Sequence, residues 1–218
     1  MEINETEEQQ LESLKRWWKE NASSVITGLL LGLALLFGAK SWFAYQDRKG
    51  EEASNTYFTL MNALAKGEEG LVTDRAGMLI GQYTKTPYAT LAALALAKQK
   101  LEQGELEAVH AQLQWALDNA GSDALRQLIR LRLARVMVAE GNLDGAGALL
   151  AQSPPDSAFA PLSTELKGDI HAARGAIAEA RAEYEIALTA LPPDSAEHQL
   201  LQLKYENTIA AGVSGDTP

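Results

Sequence analysis

The 218-residue chain contains no cysteine. That removes disulfides, thiol nucleophiles and cysteine-held metals from consideration, and it does not choose between compartments. Histidine is nearly as scarce: His110, His171 and His198 stand apart, without the spacing that would gather them round an ion. Positive charge is short as well, with Lys+Arg 19 against Asp+Glu 29, a net charge of −10 and a pI near 4.8. Nucleic acid, whose phosphates need a basic surface, is therefore not an expected partner. No Walker glycine loop, HExxH, GxSxG or dinucleotide fingerprint occurs. No enzymatic activity and no cofactor are expected. Acidic pairs such as Glu51–Glu52 and Glu68–Glu69 read as solvated faces, and His171 as a packing or groove residue.

What is present begins with an oily run. From Asn21 to Ala39 nineteen residues carry no formal charge. As a helix they extend roughly 28 Å, close to the thickness of a bilayer's hydrocarbon core. Trp17 and Trp18 precede the run, and Trp42, Phe43 and Tyr45 follow it, in the positions of two interfacial belts. A buried core helix has no reason to carry both. A cleavable signal peptide fits less well, because the leading segment is long and acidic and no small-x-small site follows before Lys40. The expected division is a tail at 1–20, a membrane helix at 21–45, a soluble domain at 46–211 and a frayed tail at 212–218. Orientation stays open: Lys15, Arg16 and Lys19 balance Lys40, Arg48 and Lys49. Ser24, Gly28 and Gly32 recur every four residues, which suits close approach of another membrane helix or simply reflects how common glycine is in such spans.

The soluble part repeats itself. "LALAKQKLEQGELEAVHAQLQWAL", "LRLARVMVAEGNLDGAGALLAQSP" and "LKGDIHAARGAIAEARAEYEIALTALPP" align on Gly-x-(Leu/Ile)-x-x-(Ala/Val). Their glycines, Gly104, Gly141 and Gly175, lie 37 and then 34 residues apart. Seven residues before each comes a small residue (Ala97, Ala134, Gly168). Five after comes Val109, Ala146 or Ala180, and four later a large filler, Leu113, Leu150 or Tyr184. Small residues mark the close crossing of two antiparallel helices, and the glycine ends the first of them.

Flanking helices are expected too. One runs through 41–66 with Tyr57, Leu60, Met61 and Leu64 on its apolar stripe, and one covers Thr73–Tyr83. A terminal helix, capped by Asp194 and Glu197, buries Leu200, Leu201, Leu203, Tyr205 and Ile209.

These units resemble the tetratricopeptide repeat, best around Gly168–Pro192. The fold class is accordingly all-α: one membrane helix, then a right-handed solenoid of helical hairpins. Groove positions carried over from that family fall on Leu94, Lys98, Leu101, Leu131, Arg135, Val138, Glu165 and Asp169. "RQLIRLRLAR" adds Arg126, Arg130, Arg132 and Arg135 on one helix. They either pair with acids such as Glu102, Glu105 and Glu107 or form a basic strip for an acidic or extended partner.

Taken whole, the layout resembles the YfgM family of ancillary subunits of the SecYEG translocon. The resemblance rests on the acidic start "MEINETEEQQLESLKRWWKEN", the span followed by "KSWFAYQ", "TPYATLAALALAK" and "LKGDIHAARGAIAEARAEYEIAL". It implies a bacterial inner-membrane protein with a cytoplasmic N-terminus and a periplasmic repeat domain. The implied partners are SecYEG, the membrane-tethered chaperone PpiD, emerging secretory chains and other periplasmic chaperones, beside the lipid bilayer itself. A regulatory role for the cytoplasmic tail is a further implication. A membrane-tethered scaffold for envelope assembly, away from the translocon, is the competing reading of the same residues.

Overall fold

The computed structural model describes the backbone of residues 7–214 and the side chains of 10–209. Residues 1–6 of the acidic start and 215–218 of the segment read as a frayed tail lie outside the described residues. Among the described residues there are nine helices and no strand: α1 (Glu7–Lys66), α2 (Glu69–Gln82), α3 (Pro87–Glu102), α4 (Leu106–Asp118), α5 (Asp123–Ala139), α6 (Leu143–Leu150), α7 (Ala160–Ala173), α8 (Ile177–Ala190) and α9 (Ala196–Ser214). Two units result, residues 1–52 and 53–218.

The first unit is helical and holds one segment long and apolar enough to cross a membrane, with mean hydropathy 2.0 over its best window and none of that window buried. Leu29, Leu35, Leu36 and Phe37 are all exposed. Its polar side chains turn back on their own helix: Thr27 Oγ1 donates to the Ser23 carbonyl (2.7 Å) and Asn21 Nδ2 to that of Trp17 (2.9 Å). Such local satisfaction is what a chain needs where water is absent.

The second unit is built on one turn, used four times. Gly67, Gly104, Gly141 and Gly175 have φ of 69°, 75°, 79° and 76°, the left-handed region that side chains with a Cβ resist. Around each the backbone makes the same three bonds. At Gly141, its own N–H reaches the Val138 carbonyl (3.0 Å), Asn142 N–H reaches Met137 (2.8 Å), and Leu143 N–H reaches Gly141 (3.0 Å). The first two make a Schellman close to one helix; the third is an inverse γ-turn that launches the next. Gly67 repeats the set with Leu64, Ala63 and Glu69.

Gly67 therefore marks a hairpin ahead of the three legible in the sequence, again 37 residues before the next. Its two helices are the end of α1 and α2, and α2 begins at Glu69 rather than Thr73. The crossing is inverted in bulk. Elsewhere the small residue is on the first helix and the large one on the second, as in Ala97 and Leu113 or Ala134 and Leu150. Here Leu60 is on the first and Ala76 on the second, both fully buried. The summed volume is kept, which is what close packing demands. The buried stripe of α1 is Ala53, Leu60 and Ala63, with Tyr57 and Leu64 half-buried. Met61 turns out to solvent, 100° of helix rotation away from Leu60.

Each apolar cluster spans one hairpin and the first helix of the next. Val72 and Leu79 meet Ala92 and Leu96; Val109 and Leu113 meet Ile129 and Leu133; Ala146 and Leu150 meet Leu166 and Ile170. Full burial of such a side chain stabilises by roughly 1.5–3 kcal/mol, and each layer depends only on its neighbours. A polar stitch recurs where each first helix ends. Gln103 Nε2 donates to Glu69 Oε2 (3.0 Å), Glu140 pairs with His110 Nδ1 (2.9 Å), and Arg174 pairs with Asp144.

α9 closes the last layer through Leu201, Tyr205 and Thr208, set against Ala180, Tyr184 and Ala187. Arg181 ties it down by donating to the Thr208 carbonyl (2.7 Å). Leu200, Leu203 and Ile209, expected on the buried face, are exposed, since residues 200, 201 and 203 cannot share one narrow stripe. The cap is Ser195, whose Oγ accepts from the His198 N–H (3.1 Å), and not Asp194.

Candidate partner-binding groove

Two depressions run along the first helices of the hairpins. One, of about 400 Å³, lies between α3, α4 and α5; Leu94, Lys98, Leu101 and Arg135 line it together with Arg132. The second, of about 560 Å³, lies between α5, α7 and α9 and is lined by Arg135, Val138, Glu165 and Asp169 with Leu200 and Lys204. Arg135 and Ala139 border both.

Seven of the eight carried-over groove residues thus line one depression or the other, and Leu131 lines neither. It is 2 % exposed and packs with Ala134, Leu150, Leu166 and Ile170. The correction has a packing cause: α7 supplies Leu166 and Ile170 over it. Its neighbour Arg132, one position on, takes the place at the groove.

The four arginines of α5 do not form one strip. Arg126 sits at the start of the helix, donating to Asp123 Oδ1 (2.5 Å) and the Ala120 carbonyl (2.9 Å). Arg130 is buried, and its Nε has no hydrogen-bond partner among the described residues. Only Arg132 and Arg135 reach the groove. Nor do Glu102 and Glu105 neutralise the arginines; they pair with Lys98 (3.7 Å) and Lys100 (2.9 Å).

The second depression carries a charge network. Lys204 Nζ lies 2.7 Å from Glu165 Oε1 and 2.7 Å from Asp169 Oδ2, Arg135 lies 3.8 Å from Glu165, and Tyr184 Oη donates to Asp169 (2.8 Å). Burial pulls the Lys204 ammonium down, but the two carboxylates outweigh it and hold its pKa above the ordinary lysine value. Burial, then the Asp169 carboxylate, push the Tyr184 phenol up. Lys204 escaped sequence analysis. Its signal was there: it is the one Lys or Arg of α9, and Glu165 and Asp169 stand four apart on one helix face.

In the first unit, Ser24 and Gly28 are exposed and Gly32 half-exposed, and a Cβ built on either glycine meets nothing within 4 Å. Among the described residues no group of three His, Asp or Glu side chains could hold a metal.

The chain's likeness to known proteins is broad. A family model described as a tetratricopeptide repeat-like domain matches residues 15–210. A Haemophilus influenzae protein is 32% identical over 201 residues, 92% of this chain and 97% of that one. An Escherichia coli protein is 30% identical over 207 residues, 95% and 98% of the two chains. A Neisseria gonorrhoeae protein is 27% identical over 205 residues, covering 92% and 96%. All three are named ancillary SecYEG translocon subunit. With the repeated glycine turn and the layered hairpins behind it, this match assigns the chain to the tetratricopeptide repeat-like family that contains the ancillary SecYEG translocon subunits.

Proposed function

We propose that the chain is a non-enzymatic accessory subunit of the SecYEG translocon, fixed in the bacterial inner membrane by its apolar helix. The observation that carries the reading is the near full-length match to proteins of that name, apolar helix included. The orientation proposed is N-terminus in the cytoplasm and repeat domain in the periplasm. There the domain couples export to a membrane-tethered chaperone of the PpiD kind, and Leu94, Lys98, Leu101 and Arg135 provide the contact surface. The Ser24, Gly28 and Gly32 face is proposed to meet a partner's membrane helix, since small residues there leave room for close approach. A regulatory part for the N-terminal tail belongs to the same proposal.

The test is affinity purification of the full chain in mild detergent. Recovery of SecYEG and PpiD is expected; their absence, with other envelope proteins in their place, would favour the scaffold reading. Protease added to spheroplasts is expected to digest the C-terminal domain and would spare it if the orientation were reversed.

A further inference from the structure

We infer that the groove between α3, α4 and α5, and not its neighbour against α9, receives an acidic segment of one fixed partner subunit. That segment seats aliphatic side chains on the floor and sets a carboxylate against Arg132. The inference rests on the accessory-subunit reading and names the chemistry of what docks.

Of the eleven residues lining this groove, eight are aliphatic, three are cationic (Lys98, Arg132, Arg135) and none is acidic. In a chain of net charge −10 that local excess is complementary to an anion. Two of the cations are already shared, Lys98 with Glu102 (3.7 Å) and Arg135 with Glu165 (3.8 Å). Arg132 has no ion pair or hydrogen bond among the described residues, so its charge faces the groove unanswered. The neighbouring depression offers no such charge, because Lys204 from α9 already sits on Glu165 and Asp169.

The volume, about 400 Å³, lies within the range of specific sites and holds a few apolar side chains. Val109, Leu113 and Val136 form a floor fixed by the core beneath, and Leu101, half-exposed, forms a wall. Sites that accept many sequences use flexible, methionine-rich surfaces, and this lining contains no methionine. A rigid pocket with one unpaired charge sets register, which suits a constant segment of a subunit better than varied emerging chains.

The test uses the full chain in phosphatidylcholine nanodiscs and two fluorescent peptides of helical period. One is built from Leu, Ala and Glu; the other has Lys in place of Glu. The acidic peptide is expected to bind more tightly by on the order of tenfold. Arg132→Glu is expected to reverse the preference, and Leu101→Asp to weaken the acidic peptide. Equal binding of both peptides, or an unchanged preference in an Arg132→Glu protein of intact helicity, would overturn the inference. A photocrosslinker at Leu101 in cells is expected to yield one discrete adduct. A ladder of secretory chains, or a product of unchanged mass formed with the chain's own tail, would also overturn it. SecYEG recovery by the unaltered chain separates the two levels: recovery without peptide preference defeats only this inference, and preference without recovery defeats only the translocon reading.

Discussion

The ring of Tyr184 fills the space that a side chain at Gly168 would need: a Cβ there would fall 2.4 Å from Tyr184 Cε1 and 3.2 Å from the Ala180 carbonyl oxygen. The smallest and one of the largest residues of the domain thus meet where α7 crosses α8. The hydroxyl at the far end of that ring reaches Asp169, joining the crossing to the charge network.

Gly168→Ala is therefore expected to destabilise by about 1–3 kcal/mol, as overpacking does. Thermal melts followed by circular dichroism would read a loss of roughly 2–4 °C per kcal/mol for a domain of this size. Adding Tyr184→Leu to the same protein should return part of that loss; a double variant that melts lower than the sum of the singles would contradict the crossing.

Two neighbouring glycines should respond with opposite signs. Gly141→Ala puts a Cβ on a residue at φ 79° and is expected to cost about 1–2 kcal/mol, although nothing lies within 4 Å. Gly147→Ala, inside α6 with equally open surroundings, should stabilise by about 0.5–1 kcal/mol. Equal effects would mean that the turn geometry is not what holds Gly141.

Lys204→Met should cost roughly 1–3 kcal/mol, since it leaves Glu165, 8 % exposed, without its nearest cation. Replacing Glu165 by Gln in the same protein should recover part of this. The pH dependence has a definite sign. The folded-state pKa of Lys204 lies above its ordinary value of 10.5, so the folded state holds the proton longer than the unfolded chain. The contribution is complete at neutral pH and declines only as the pH rises past 10.5 towards the raised value. Tyr184, also raised, acts in the same direction, so the measurement is the difference in melting temperature between the parent and Lys204→Met from pH 7 to 11. A gap that closes below pH 9 would contradict the assignment.

Leu131→Asp should unfold the middle of the domain, because it places a carboxylate in a site 2 % exposed. Leu101→Asp, on a residue 53 % exposed, should leave helicity unchanged. Circular dichroism of the two single variants checks both, and intact helicity in the Leu131→Asp protein would return that residue to the groove.

How far the sequence could be read depended on how each signal is written. Gly104, Gly141 and Gly175 stood out because each is followed by a leucine or isoleucine two residues on and flanked by the small-then-large pattern. Gly67 performs the same turn, but Glu69 occupies the apolar slot and the bulk of Leu60 and Ala76 is exchanged across the crossing. Volume is conserved between two helices, and a pattern that tracks one position at a time does not see it. The groove was legible as a phase and blurred in depth. Leu94 and Leu131 both stand ten residues before their glycines, yet Leu94 lines the groove while α7 covers Leu131. Lys204 belongs to no repeat, so the repeat pattern that marks the groove passes over it, although it is the one Lys or Arg of α9 and the fold brings it to Glu165, 39 residues earlier.

The spacing of 37 residues from Gly67 to Gly104, and again from Gly104 to Gly141, gives the domain the character of a modular construction. Since every layer touches only those beside it, a duplicate of residues 104–140 spliced in at Gly104 would find the same turn at each junction and would set Ala134 against Leu113, small against large as before. Length is thus a parameter that descent can change by whole units. The extent of such a repeat unit is set by how many cassettes it carries rather than by redesign of any one of them.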